Sequence, residues 1–280
     1  YTDQVLSVGG LTGAVSDVDV VSGGVAGVGT DSVVIGPSAS SAGLEASAFG
    51  KSASAAGDYS TAVGPTASAA LGSSTAVGRE ASAAGYASSA YGYAASAAGG
   101  YSSAVGRLAS AAGDYSAALG SNTSAAGPQS TAVGHSASAV GTDASAFGRQ
   151  SSAGGAYSTA VGRYSSSGGS FSAAIGSLAS AAGTESVAIG RYASTAGQQG
   201  VAIGYLSNAA GYISVALGRN TSSTGNYDIS VGYLSSSTGG QGIAIGRQAS
   251  TTAANATAVG YLAEATASGA VAIGTSVVAA

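Results

Sequence analysis

Large apolar residues recur along this chain at one position in every fourteen, each followed by glycine. The glycines are Gly36, Gly50, Gly64, Gly78, Gly92, Gly106, Gly120, Gly134, Gly148, Gly162, Gly176, Gly190, Gly204, Gly218, Gly232, Gly246, Gly260 and Gly274, with no insertion between them. The residue before each is bulky, for example Ile35, Phe49, Tyr91, Leu119 and Ile273. The residue before that is Ala in all turns but those of Val34 and Ser230. A second glycine column runs seven residues later, from Gly43 to Gly239, interrupted at Leu71 and lost at Ala253 and Ala267. Three residues before that column stands Ser, replaced only by Asn208 and Glu264.

A half-period of seven invites a heptad reading, but glycine in a helix interior costs about 1 kcal/mol against Ala. The bulky position also comes once per fourteen residues rather than twice per heptad. Collagen is excluded because no Gly-X-Y triplet exists. The pattern predicts a solenoid in which each turn has two short strands and two tight corners, with glycine at the corners. Along Ser186–Gly190 the alternation places Val187 and Ile189 on one face and Ala188 on the other. Stacked turns pair in parallel and in register at about 4.8 Å, so eighteen turns make a rod of roughly 85 Å.

A fourteen-residue circuit is thin. Its interior is expected to hold little more than one Ile or Val and some Ala, and such a coil needs sister coils alongside. The Ala column suggests a face against which a neighbouring backbone packs closely. The other reading is that Ala fills a cramped interior and the Ile/Val column faces the neighbour. The sequence leaves both open. An assembly of parallel rods is expected, most simply a homotrimer.

The stretches Ser186–Gly197 (SVAIGRYASTAG) and Val201–Gly211 (VAIGYLSNAAG) resemble the head repeats of trimeric autotransporter adhesins, the YadA-like head. The resemblance covers residues 31 to 274. It implies an all-β, left-handed parallel β-roll assembled as a parallel homotrimer, displayed on a bacterial cell surface, adhering to host matrix or to other cells. Similar repeats resemble modules of phage tail fibres. The chain departs from the family's Val at Thr61, Thr75, Ser89, Ser103, Ala117 and Thr131, and returns to it from Val187. No neck, coiled-coil stalk or membrane anchor pattern follows Gly274. The chain is therefore expected to be an excised head or a different protein built from the same repeat. Its start, without a signal-peptide pattern, reads as that of a mature chain.

Composition narrows the chemistry. With no Cys, disulfide scaffolds, thiol catalysis and Cys-type zinc sites drop out. Eight cations against twelve acids give a net charge of −4 and no basic face for nucleic acid. A mean hydropathy of +0.31 argues against charge-driven disorder. No run of apolar residues is long enough for a transmembrane helix. No cofactor or metal is expected. The 280-residue chain has one His, and paired titratable groups for acid–base catalysis are missing, so no enzyme is expected.

The position after each main glycine carries the candidate binding residues. All eight cations lie there: Lys51, Arg79, Arg107, Arg149, Arg163, Arg191, Arg219 and Arg247. His135 joins them, and Tyr93, Tyr205, Tyr233 and Tyr261 fill intervening turns. Except for Arg149, the positive positions and His135 keep a 28-residue superperiod. Charges on adjacent rungs would stand about 5 Å apart and repel; skipping a rung takes them near a Debye length. The ridge reads either as a solubilising edge with Tyr over Arg stems, or as a surface for glycans or other surfaces with Tyr faces and Arg donors as contacts. Tyr59, Tyr101, Tyr115, Tyr157, Phe171 and Tyr227 share a slot at the other corner, as a packing seam or an adhesive strip. Glu45, Asp58, Asp114, Asp143 and Glu185 read as solvated turn residues.

Three segments are expected: 1–30 as a cap or attachment segment, 31–274 as the β-roll, and 275–280 as a tail. The leading function is a non-catalytic extracellular adhesin or fibre rod. The alternatives are a filament subunit stacking end to end, or a phage tail-fibre module. Ice binding through Thr61, Thr75, Thr131, Thr159 and Thr257 ranks below these, because Ser, Ala and Val break that column.

Overall fold

The computed structural model describes residues 29–280. Residues 1–28, most of the segment expected to cap the first turn, lie outside the described residues. The rest is an all-β parallel solenoid of thirty-six strands, with no helix among the described residues. Three-residue strands such as Val187–Ile189 form one sheet, and two-residue strands such as Ser194–Thr195 form the other. Every strand pairs in parallel with the strand fourteen residues away: Val187 with Val201, Ala188 with Ala202 and Ile189 with Ile203. The pairing runs without a slip from Val33–Ile35 to Val271–Ile273 on one sheet and from Ser40–Ser41 to Val278–Ala279 on the other.

Backbone hydrogen bonds join each rung to the next. The Ser47 N–H donates to Ser60 O at 2.9 Å, and the Gly64 N–H to Phe49 O at 2.8 Å. The corners are tight turns. Ala67 N–H closes on Gly64 O at 3.1 Å around Pro65 and Thr66, and Thr66 is left-handed at φ 56°. A left-handed third residue after a proline is the signature of a type II turn. Pro37 and Pro128 occupy the same second slot at their corners, so all three prolines of the chain stand where a fixed φ favours the turn.

The left-handed slot recurs every seven residues and holds 35 non-glycine residues, including Leu108 and the β-branched Ile213. Such a conformation costs an L-residue about 1–2 kcal/mol. It persists because, from Glu45 onward, the N–H of each of these residues is locked to the corner carbonyl below: Leu108 to Tyr93 O at 2.9 Å, Tyr59 to Leu44 O at 2.7 Å. The glycines do a different job. At Gly64, φ is +126° and a Cβ would stand 2.6 Å from Gly78 O on the next rung. At Gly99 φ is ordinary, but a Cβ would fall on the Gly113 carbonyl. One column therefore needs both the conformation and the space, the other only the space.

The interior corrects the sequence expectation. Among the described residues no Ile is buried, and the one buried Val is Val34. Four inward slots per rung are filled almost throughout by Ala, Ser or Thr, as in the buried Ala104, Ala109, Ala111 and Ser116; the exceptions include Val34, Gly200, Asp228 and Gly242. The bulky column points outward. Ile175, Ile189 and Ile203 are 36–41% exposed, whereas Ala188 between them is 0% exposed. The Ala column is thus the cramped interior and not a docking face. Two sheets joined by four-residue corners stand too close for more than a methyl or hydroxymethyl group each.

Candidate functional site

Three surfaces leave the coil: the outer face of the three-residue-strand sheet, the corner after the main glycines and the corner after the second glycines. On the sheet, the bulky column stands beside a second outward column three residues before the main glycine. From Val187 to Ile245 both columns are apolar: Val187 and Ile189, Val201 and Ile203, Val215 and Leu217, Ile229 and Val231, Ile243 and Ile245. From Ser47 to Ala173 the second column is Thr, Ser or Ala, and in the first rung it is Val33. Thr61, Thr75, Thr131, Thr159 and Thr257 therefore flank the bulky column instead of forming a separate flat face.

The first corner carries every candidate ridge residue, all of them exposed. Its guanidinium groups and phenol rings alternate along the rod. Arg191 lies 5.9 Å from the Tyr205 ring centroid, and Arg219 lies 5.7 Å from it on the following rung. Arg219 is also 5.7 Å from Tyr233, and Arg247 lies 5.8 Å from Tyr233 and 5.3 Å from Tyr261. Tyr205 and Tyr233 are thus sandwiched between arginines two rungs apart. Their faces are occupied, while the guanidinium edges remain free to donate. Lower on the ridge Arg79 lies 5.4 Å from Tyr93, and Tyr164 is contacted by both Arg149 at 5.8 Å and Arg163 at 5.2 Å, while Arg191 also lies 4.9 Å from Tyr192. Lys51, Arg107 and His135 have no ring contact among the described residues. His135 Nδ1 meets the Ser136 hydroxyl at 3.2 Å. Among the described residues the one ion pair is Arg79 with Glu80, at 2.9 Å.

The second corner holds short aromatic groups instead of a continuous strip, one of them a run of three in which Tyr86 meets Tyr101 edge-on at 5.6 Å. Tyr101 stacks on Tyr115 at 5.1 Å and Tyr157 on Phe171 at 4.9 Å, while Tyr212 meets Tyr227 edge-on at 5.4 Å. Two of its acids do more than face solvent. Asp58 accepts the Leu44 N–H and Asp114 the Gly100 N–H, each at 2.8 Å. Asn226 accepts the Tyr212 N–H in the same way at 3.0 Å. These carbonyl-type oxygens satisfy the one corner amide that the rung ladder leaves over. Glu185 accepts from the Gln199 amide at 2.6 Å.

Sequence reasoning did not single out Asp228. It is buried, and its carboxylate accepts the N–H groups of Gly225 and Gly242, each at 2.8 Å. The signal was present in its register, since Asp228 falls on the inward slot filled by Ser186 and Ser214. No group of three or more His, Cys, Asp or Glu that could hold a metal stands together among the described residues. No helix among the described residues is long and apolar enough to cross a membrane.

A stack of identical fourteen-residue circuits with decorated corners defines a parallel β-roll rod. The chain belongs to the family of YadA head domain repeats, which matches it over residues 28–67, 97–165, 167–193 and 196–276. Among solved structures, the collagen-binding domain of the Yersinia adhesin YadA is similar at 27% identity, over 64% of this chain and 69% of that one, with a TM-score of 0.22. No curated protein matches the chain.

Proposed function

We propose that this rod is a non-catalytic adhesin or fibre module, working as three parallel copies on the outside of a bacterial cell and holding to matrix, glycan or another cell. The family of YadA head repeats supports adhesion. The observation that carries the trimer is the outward column of eighteen bulky residues on a coil already filled with Ala and Ser. An apolar strip running the length of a rod marks an interface. Residues 1–30 serve as its cap or attachment segment. Collagen, which the Yersinia domain binds, is the first matrix to try.

Sedimentation equilibrium tests the assembly. The chain is expected at three times its 25.8 kDa mass, and Ile189→Asp with Ile203→Asp is expected to release monomers. A parent chain that runs as a folded monomer at micromolar concentration contradicts the proposal. Adhesion is read by binding of the rod to immobilised collagen and to cultured cells.

A further inference from the structure

We infer that the first corner between Arg191 and Tyr261 is a binding track for a linear acidic polysaccharide lying lengthwise along the rod, with one sulfate or carboxylate at each arginine. The inference rests on the adhesin reading and names the ligand class of its ridge.

The geometry is that of arginines held ready. Arg219 is stacked between Tyr205 and Tyr233, and Arg247 between Tyr233 and Tyr261. Stacking uses the flat faces of guanidinium and leaves its N–H edges, the groups that grip a planar or tetrahedral anion in bidentate fashion. The rings also fix rotamers that a free Arg would have to freeze on binding. The tyrosine faces are occupied, so recognition falls to the arginine edges and not to sugar–ring stacking.

The arginines of this stretch have no ion-pair partner among the described residues. Arg191, Arg219 and Arg247 make no ion pair, the single pair among the described residues being that of Arg79. On neighbouring rungs, Glu185 is engaged by Gln199, and Asp228 is buried on backbone amides. Lower on the rod the balance differs: Lys51, Arg79, Arg107 and Arg149 share their heights with Glu45, Asp58, Glu80, Asp114 and Asp143. Above residue 160 the four arginines Arg163, Arg191, Arg219 and Arg247 stand against three acids, Glu185, Asp228 and Glu264, so an anion meets a net positive row only there.

Spacing selects the polymer. Arginines two rungs apart are about 9.6 Å from one another along the rod. That matches the length of a disaccharide, so one anionic group per disaccharide meets one arginine. Duplex DNA carries a charge about every 1.7 Å of its axis and demands a far denser basic surface.

The test uses the whole chain and three probes: heparin-derived oligosaccharides of graded length, hyaluronan oligosaccharides and a duplex DNA of equal length. Calorimetry or fluorescence anisotropy at low and physiological salt reads affinity. Binding is expected to strengthen as oligosaccharides grow long enough to span two and then three arginines, with sulfate and carboxylate arms reporting which anion is preferred. Arg191→Gln, Arg219→Gln and Arg247→Gln together are expected to weaken it about tenfold or more, since linked contacts multiply. The control with the same charge change, Lys51→Gln, Arg79→Gln and Arg107→Gln, is expected to weaken it less than about threefold. Tyr205→Leu with Tyr233→Leu keeps every charge and is expected to lose affinity by removing the stack. Equal losses in the two triple variants, no binding of either polysaccharide by the parent, or preference for DNA overturns the inference. Parallel cell-adhesion assays separate it from the broader reading. If the parent adheres and the Arg191/Arg219/Arg247 variant adheres equally well, the track is wrong and the adhesin stands. If the parent binds oligosaccharide but adheres to nothing, the track stands and the adhesin reading falls.

Discussion

Rungs between residues 46 and 160 and rungs between residues 214 and 251 share one backbone but reverse where their apolar groups lie. In the lower stretch the interior is a continuous run of buried alanines, from Ala46 to Ala160. In the upper stretch that run is broken between Ala216 and Ala244. Ser223, Asp228, Ser230, Ser235 and Ser237 fill the gap. Outside, the order is opposite. The lower sheet face carries Thr, Ser or Ala beside its bulky column, and the upper face carries Val, Ile or Leu in both columns. The inward slots therefore select for size more strongly than for polarity. A hydroxyl fits wherever a methyl does.

Hydrogen bonding makes the upper interior tolerable. The Thr251 hydroxyl donates to Ser237 Oγ at 2.8 Å, Ser230 to Ser222 O at 2.8 Å and Ser223 to Val215 O at 2.7 Å. Gly242 is glycine for the same reason: a Cβ there would crowd Thr251 Oγ1 at 2.7 Å and Asp228 Oδ1 at 3.2 Å. The lower stretch, by contrast, keeps buried hydroxyls without partners at Ser60, Ser102, Ser116, Ser130 and Ser158. The upper rungs replace apolar burial within the coil by polar networks and carry their apolar area on the outer face of the sheet.

The contrast can be broken in order of effect. Asp228→Ala removes the acceptor of two buried amides and is expected to cost about 3–5 kcal/mol, seen as an early-melting segment in thermal unfolding or as fast amide exchange confined to residues 214–251. Ala104→Leu forces a larger side chain into the lower interior and is expected to cost about 1–3 kcal/mol or more in denaturant unfolding. Ser172→Ala deletes the bonds of its hydroxyl to Gly169 O and Ser167 Oγ, both at 2.5 Å, and is expected to cost about 1 kcal/mol. Ser116→Ala, in the same inward slot but without a partner, is expected to be neutral or to stabilise by up to about 1 kcal/mol. If the two serine variants lose equal stability, the hydroxyl's hydrogen bonds do not contribute to holding the interior.

Much of the fold is legible in the sequence. The unbroken glycine columns carry the rung length and parallel register, and period-two alternation separates Ala188 from Val187 and Ile189. The direction of each face is harder to read, because Ala and Ile are both apolar and alternation alone assigns no inside. The deciding quantity is the width of the coil, set by corners whose turn type the sequence marks only at Pro37, Pro65 and Pro128. The left-handed slots are hidden for a similar reason. Conformational preference asks for glycine or Asn there, yet Leu, Tyr and Gln take the slot because rung-to-rung hydrogen bonds over-determine it. At the ridge, the 28-residue spacing of the cations is plain in the sequence. The sandwiching of tyrosine between arginines appears only when rungs are stacked.

The central claim is that fourteen residues make one closed circuit lying directly on the last. Thermal unfolding of two internal deletions tests it most directly. Removing residues 92–105, one full rung, is expected to leave a shorter rod with an unchanged β-sheet spectrum and a melting point within a few degrees of the parent. Removing residues 92–98, half a rung, is expected to abolish cooperative unfolding by setting every later strand against the wrong sheet. Equal tolerance of the two deletions, or loss of structure in the fourteen-residue one, contradicts the account.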